Sequence, residues 1–115
     1  RMAASFGGGI GRMRETCGAA CGMFLLAGLE KSAVDGADKE GKAANYALVQ
    51  ELAAEFKKRN GSLNCGELLG LKKRAEISSV PEERTEQYYA KRPCVRMVEE
   101  AARIWAEYLE NRSSI

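Results

Sequence analysis

Histidine is absent from the 115 residues. That absence removes Cys–His nucleophile pairs, Cys₂His₂ zinc sites and imidazole acid–base chemistry together. Long apolar runs are missing too: the longest, Met23 to Leu29, is far short of the roughly 20 residues that cross a bilayer. No membrane span is expected. No apolar stretch near the first residues ends in a cleavage-like site, so no secretory signal is read and a cytoplasmic location is the expectation. Strand-like alternation of useful length and internal repeats are both lacking. The net charge is only +2, with 30% charged and 45% hydrophobic residues, which points away from both disorder and nucleic-acid binding.

The length fits one domain, 1–115, with a single core. Into that domain the chain places four cysteines, Cys17, Cys21, Cys65 and Cys94. Without a secretion signal, such cysteines point to catalysis, redox sensing or metal binding rather than to a disulfide framework.

Cys17 and Cys21 are spaced i and i+4 among small residues, which puts both sulfurs on one face of a helix. Thr16 is the expected N-cap, and the helix should run over 17–29 or 17–32 with Cys17, Cys21, Phe24, Leu25 and Gly28 on its buried face. Ahead of it, Gly7, Gly8, Gly9 and Gly11 form a loop that allows positive φ and close backbone approach, or the cradling of an anion. Residues 1–5 read as the end of a helix that begins earlier. An amphipathic helix is expected over 43–59, with Asp38 able to cap it, a stripe of Ala44, Leu48, Val49, Leu52, Ala53 and Phe56, and Asn60-Gly61 to end it. Ser62 should cap a short helix that reaches 69. The charged stretch 71–86 reads as a solvated connection with a helical turn after Pro81. Pro93 then suits the first turn of a last helix, with Val98, Ala101, Trp105 and Tyr108 as its stripe to about residue 110. The expected fold is an all-α bundle of about four helices behind a glycine-rich loop.

Cys17, Cys65 and Cys94 each fall in the first turn of an expected helix, where unpaired N–H groups and the macrodipole favour a thiolate. Arg12, Arg14, Lys91, Arg92 and Arg96 are near enough in sequence to add positive charge beside Cys17 and Cys94. The cysteine spacing matches neither a zinc ribbon nor a ferredoxin run. A Cys17–Cys21 bridge needs helix distortion, so a bridge from Cys17 or Cys21 to Cys65 or Cys94 is preferred.

The run Gly9-Ile10-Gly11, then Cys17-Gly18-Ala19-Ala20-Cys21-Gly22, then Gly61 to Gly70 around Cys65, then Cys94 opening a final helix, resembles the C_GCAxxG_C_C proteins. These small proteins are named for their cysteine pattern. The resemblance covers most of the chain from Ala4 to Leu109 and implies a helical domain with redox-active or metal-binding cysteines. Under it, Cys17 takes the central cysteine of the motif, Cys65 and Cys94 take the two later ones, and Cys21 lies at a variable position. The family's first cysteine, expected before the glycine loop, has no counterpart, so either the chain is trimmed or Cys21 substitutes.

Three functions fit these residues. In the leading one the protein is a thiol redox protein that needs no cofactor, with Cys17, Cys65 and Cys94 reactive and Cys21 assisting or resolving. In the second, Cys17, Cys65 and Cys94 hold an iron–sulfur cluster or another soft metal. In the third, the chain is a helical interaction protein with cysteines in its core. Substrate, redox partner and oligomeric state are left open by the residues. Sulfurs within about 4 Å of one another, or sharing one solvent-accessible cleft, mark a site.

Overall fold

A computed structural model describes residues 1–71, 78–86 and 93–113. Among them are four α-helices and no strand, as the all-α expectation required: α1 over Gly18–Glu30, α2 over Lys39–Asn60, α3 over Cys65–Leu68 and α4 over Cys94–Ser113. A 3₁₀ turn, Ala4–Phe6, precedes the glycine loop. No helix among the described residues is long and apolar enough to cross a membrane.

The core lies where α1, α2 and α4 meet. Each helix sends in residues three or four apart: Ala20, Met23 and Ala27 from α1, Leu48, Leu52 and Phe56 from α2, and Met97, Ala101 and Ile104 from α4. Ala20 and Ala27 are fully buried, and their small side chains let the other two helices approach α1 closely. Two buried faces differ from the expected ones. On α1, Leu25 is 45% exposed while Met23 is buried. This helix carries no charge between Cys17 and Glu30, so its hydrophobic pattern cannot choose a face. On α4, Val98 is 59% exposed, and the stripe runs through Met97 and Ile104 instead, with Trp105 and Tyr108 packed at its margin. Val98 lies at the rim of a cleft rather than in the core.

Helix ends explain most of the boundary shifts. The Asp38 carboxylate accepts from the Gly41 N–H at 2.9 Å, which starts α2 four residues before the expected 43. Gly61 closes α2 in the left-handed region, at φ 94°. Ser62 does not cap α3. Asn64 does so, through Oδ1 accepting from Glu67 N–H at 2.9 Å, while Ser62 Oγ accepts from Asn64 N–H and donates to Glu67. The helical turn expected after Pro81 is not seen over 81–85, and helical backbone begins only at Glu86.

Ion pairs brace the bundle from outside. Arg59 on α2 reaches Glu55 on its own helix and Glu100 and Glu107 on α4, and Arg112 near the end of α4 meets Glu30 at the end of α1. The hydrogen bond from Arg59 holds the Glu55 carboxyl below the ordinary carboxylate range. These pairs are partly solvated, so their net contribution is small beside that of the core.

Phe56 is the largest side chain with no exposure, at the centre of α2's contact with the other two helices. Phe56→Ala should cost about 3–5 kcal/mol in urea unfolding, a large share of the roughly 5–15 kcal/mol that holds a domain folded. A loss below about 1 kcal/mol would place the core elsewhere.

Candidate functional site

Two chain segments far apart in sequence are joined just before α1 and α3. Thr16 and Asn64 form an isolated antiparallel bridge, in which Cys17 N–H donates to Leu63 O at 2.6 Å and Cys65 N–H donates to Glu15 O at 2.6 Å. Side chains alternate along paired backbone, so Cys17 and Cys65, each one step past the bridged residues, project to the same side. The bridge also explains why Thr16 is not the N-cap of α1. With Thr16 held extended and the Cys17 N–H committed to Leu63, helical geometry starts at Gly18 and Cys17 takes the cap position.

The glycine loop covers this junction. Gly8, Gly9, Ile10, Gly11 and Arg12 are five consecutive residues with positive φ, and Arg14 is another. The chain thus makes a left-handed coil, costly for the non-glycine residues by roughly 1–2 kcal/mol each. Its N–H groups are internally bonded: those of Ile10 through Glu15 all donate to carbonyls of residues 5–10. An anion cradle built from these amides, one of the two uses expected of the glycines, therefore has no free donors over 10–15. Close approach is the use the structure makes. A Cβ on Gly9 would lie 2.5 Å from Cys65 Cβ and 2.8 Å from the Arg14 and Glu15 backbone, and one on Gly18 would lie 2.8 Å from Phe6 O.

The result is a cleft of about 360 Å³ that Cys17, Cys65 and Cys94 line together. Gly7, Gly8 and Gly9 form one wall, Val95 and Val98 of α4 another, and Arg14 and Arg84 stand in it as charged groups. Cys94 is exposed, Cys17 is half-buried and Cys65 is buried. Cys21 is not part of the lining. It sits one turn behind Cys17, buried on the core side, with its N–H on Cys17 O at 3.0 Å. All four are free thiols.

Electrostatics separates the cysteines. Burial raises the Cys17 thiol above its ordinary value; the Ala20 and Ala19 N–H groups oppose this, and negative charge on Cys65 or Cys94 adds to the rise. Burial is the largest of these effects, so the net shift is upward. The Cys21 thiol is also raised, by burial first and by the Cys17 charge second. Arg14, expected beside Cys17, instead directs Nη1 at Cys65 Sγ, 3.8 Å away. A helix of four residues offers only a weak dipole to Cys65, and Arg14 is the cation whose contact with its sulfur is seen. Arg12 turns to Ser78 O and Glu82, Arg96 borders a different depression beside Pro93, and Lys91 and Arg92 lie outside the described residues. Arg84, read from sequence as surface charge, lines the cleft. Nothing in its polar surroundings in the sequence could have signalled that position.

Metal ligation was the other use expected for Cys17, Cys65 and Cys94. No three Cys, Asp, Glu or His side chains among the described residues come close enough to hold a metal ion. The three thiols share a cleft without forming a donor set.

A small helical protein with thiols from three parts of the chain gathered in one cleft is the class that fold and geometry define. The chain belongs to the C_GCAxxG_C_C family: the family model, described as "Putative redox-active protein (C_GCAxxG_C_C)", matches residues 1–108. Comparison with curated proteins and with solved structures gave no match in either set.

Two outcomes follow from this geometry. Gly9→Ala should destabilise the fold by more than about 1 kcal/mol, because the new methyl meets backbone atoms at a position of positive φ; an unchanged urea midpoint would show that the loop does not pack on Cys65. Cys17 keeps its proton to higher pH when folded than when unfolded, so its contribution to stability is full below the ordinary thiol range near pH 8.5 and is lost as pH rises through its folded value. Peptide-mapped iodoacetamide labelling of Cys17 should therefore rise with a midpoint above about pH 8.5. A midpoint below that would mean that the backbone N–H groups dominate.

Proposed function

We propose that the protein is a thiol–disulfide redox protein in which Cys17, Cys65 and Cys94 are the reactive set. The observation that carries this reading is the shared cleft: three cysteines separated by up to 77 positions line one solvent-accessible space, while the fourth is held behind it. Cys65 is the attacking thiol, because the Arg14 guanidinium is directed at its sulfur across the cleft. Cys17 resolves. It lines the same cleft as Cys65, and burial, which holds its proton, keeps it from attacking first.

The electrons balance as an ordinary exchange. Cys65 attacks one sulfur of a partner disulfide, expelling the first partner thiol; Cys17 then attacks Cys65 Sγ and expels the second. The two cysteine protons end on the two partner thiols, the protein is oxidised by two electrons, and a Cys17–Cys65 disulfide remains. Cys94, exposed at the rim, relays the reversal: it attacks the Cys17–Cys65 disulfide and frees one of those thiols, and a protein-sized dithiol then attacks the disulfide that Cys94 holds, leaving as its own disulfide and returning all three thiols. Cys21 assists from behind Cys17 as a second acceptor of exchange. The same reading takes residues 1–115 as one helical domain, working in the cytoplasm with a redox partner and without nucleic acid or membrane.

Mild diamide treatment of the reduced protein should lower the count of alkylatable thiols from four to two, reversibly with dithiothreitol, and peptide mapping should find the Cys17–Cys65 bridge. Cys65→Ser should abolish that bridge, and Cys65 should label faster than Cys21 in the reduced protein, although both are 8% exposed. Four thiols that alkylate at the unperturbed rate, with no intramolecular bridge formed, would end the proposal.

A further inference from the structure

The thiol cleft adjoins a second depression of about 320 Å³, and the two share Gly7, Gly8, Arg14 and Arg84. The second is polar. Arg12, Arg14 and Arg84 line it together with Ser79, and among the described residues Glu82 is its only acidic one. Glu82 meets Arg12 loosely, at 3.6 Å, with its side chain 55% exposed. Arg14 is the hinge between the two spaces, since it borders both and directs its Nη1 at Cys65 Sγ. A molecule that reaches Cys65 through the first cleft therefore extends over arginines in the second. The sizes suit a small molecule rather than a folded protein, and three guanidinium groups against one carboxylate favour an anion at that end.

We propose that the disulfide reduced at Cys65 is a low-molecular-weight one whose thiol moiety carries a carboxylate or phosphate, with its sulfur end against Cys65 and its anionic end on Arg12, Arg14 and Arg84. The inference rests on the thiol–disulfide reading above and names the substrate class for that site. The chemistry is Cys65–SH + Cys17–SH + R–S–S–R → Cys65–S–S–Cys17 + 2 R–SH, with R negatively charged. The arginines choose R, and the cysteines exchange the electrons.

The test uses the fully reduced chain and four disulfides: oxidised glutathione for carboxylate, oxidised coenzyme A for phosphate, hydroxyethyl disulfide as neutral, and cystamine as cationic. The rate of Cys17–Cys65 bridge formation is read by quenched alkylation and peptide mapping. At low salt the preferred anionic disulfide should react roughly tenfold faster or more than the neutral one, and cystamine slowest, because a cleft with an excess of one charge raises the encounter rate of the opposite charge by that order. Salt should shrink the gap. Preference for glutathione over coenzyme A assigns a carboxylate, and the reverse assigns a phosphate. Arg84→Gln should lower the anionic preference and Arg84→Glu should shift it toward cystamine; Arg12→Ala provides a second lowering variant. Bridge formation at one rate with all four disulfides overturns the anion assignment and leaves the redox reading standing. No bridge with any of them overturns both.

Discussion

Two backbone hydrogen bonds on either side of the Thr16–Asn64 bridge hold the site together. They tie the residues before α1 to the residues before α3, and each donor is the N–H of a cysteine. Backbone pairing of this kind fixes position more firmly than side-chain contact, because both partners lose their torsional freedom at once. The bridge places Cys17 and Cys65 on one side, sets the start of α1, and leaves the loop from Gly7 to Glu15 to fold over the junction.

That loop shows how strain and placement are linked. A left-handed coil through Ile10 and Arg12 is unfavourable in isolation, and it persists because six successive N–H groups find carbonyls in the loop or in the turn just before it and because Gly9 lies directly on Cys65. The same coil carries Arg12 and Arg14, so the backbone shape that covers Cys65 also delivers guanidinium groups to the two connected clefts. The three-helix core behind it, centred on Phe56, is ordinary in its packing and supplies the stability that such a loop draws on.

Burial and charge give the cysteines unequal surroundings. Cys21 fills a place in the packed side of α1, Cys17 sits between core and cleft, Cys65 is at the cleft floor beside Arg14, and Cys94 is at the rim. Reactivity in such a set is governed by local surroundings rather than by the number of thiols, which is why four cysteines in one small chain need not be equivalent.

The helices were legible in the sequence because their causes are local. Asp38 before α2, Gly61 after it, and the apolar spacing from Leu48 to Phe56 act within a turn or two of one another, and so does the cysteine that opens α4. The glycine loop and its freedom of φ were equally plain. Which face of α1 is buried was not, since a helix apolar on every side has no moment to orient it, and on α4 Met97 and Ile104 joined the expected Ala101 in the core while Val98 turned to the cleft. Arg14 beside Cys65, 51 positions away, and Arg84 beside the same cleft depend on contacts with no sequence period at all. Residue type and spacing therefore determined the helices and nominated the cysteines. Only the tertiary structure decided which thiols meet and which charges face them, because a long-range backbone bridge and the loop folded over it have no signature in the order of the residues.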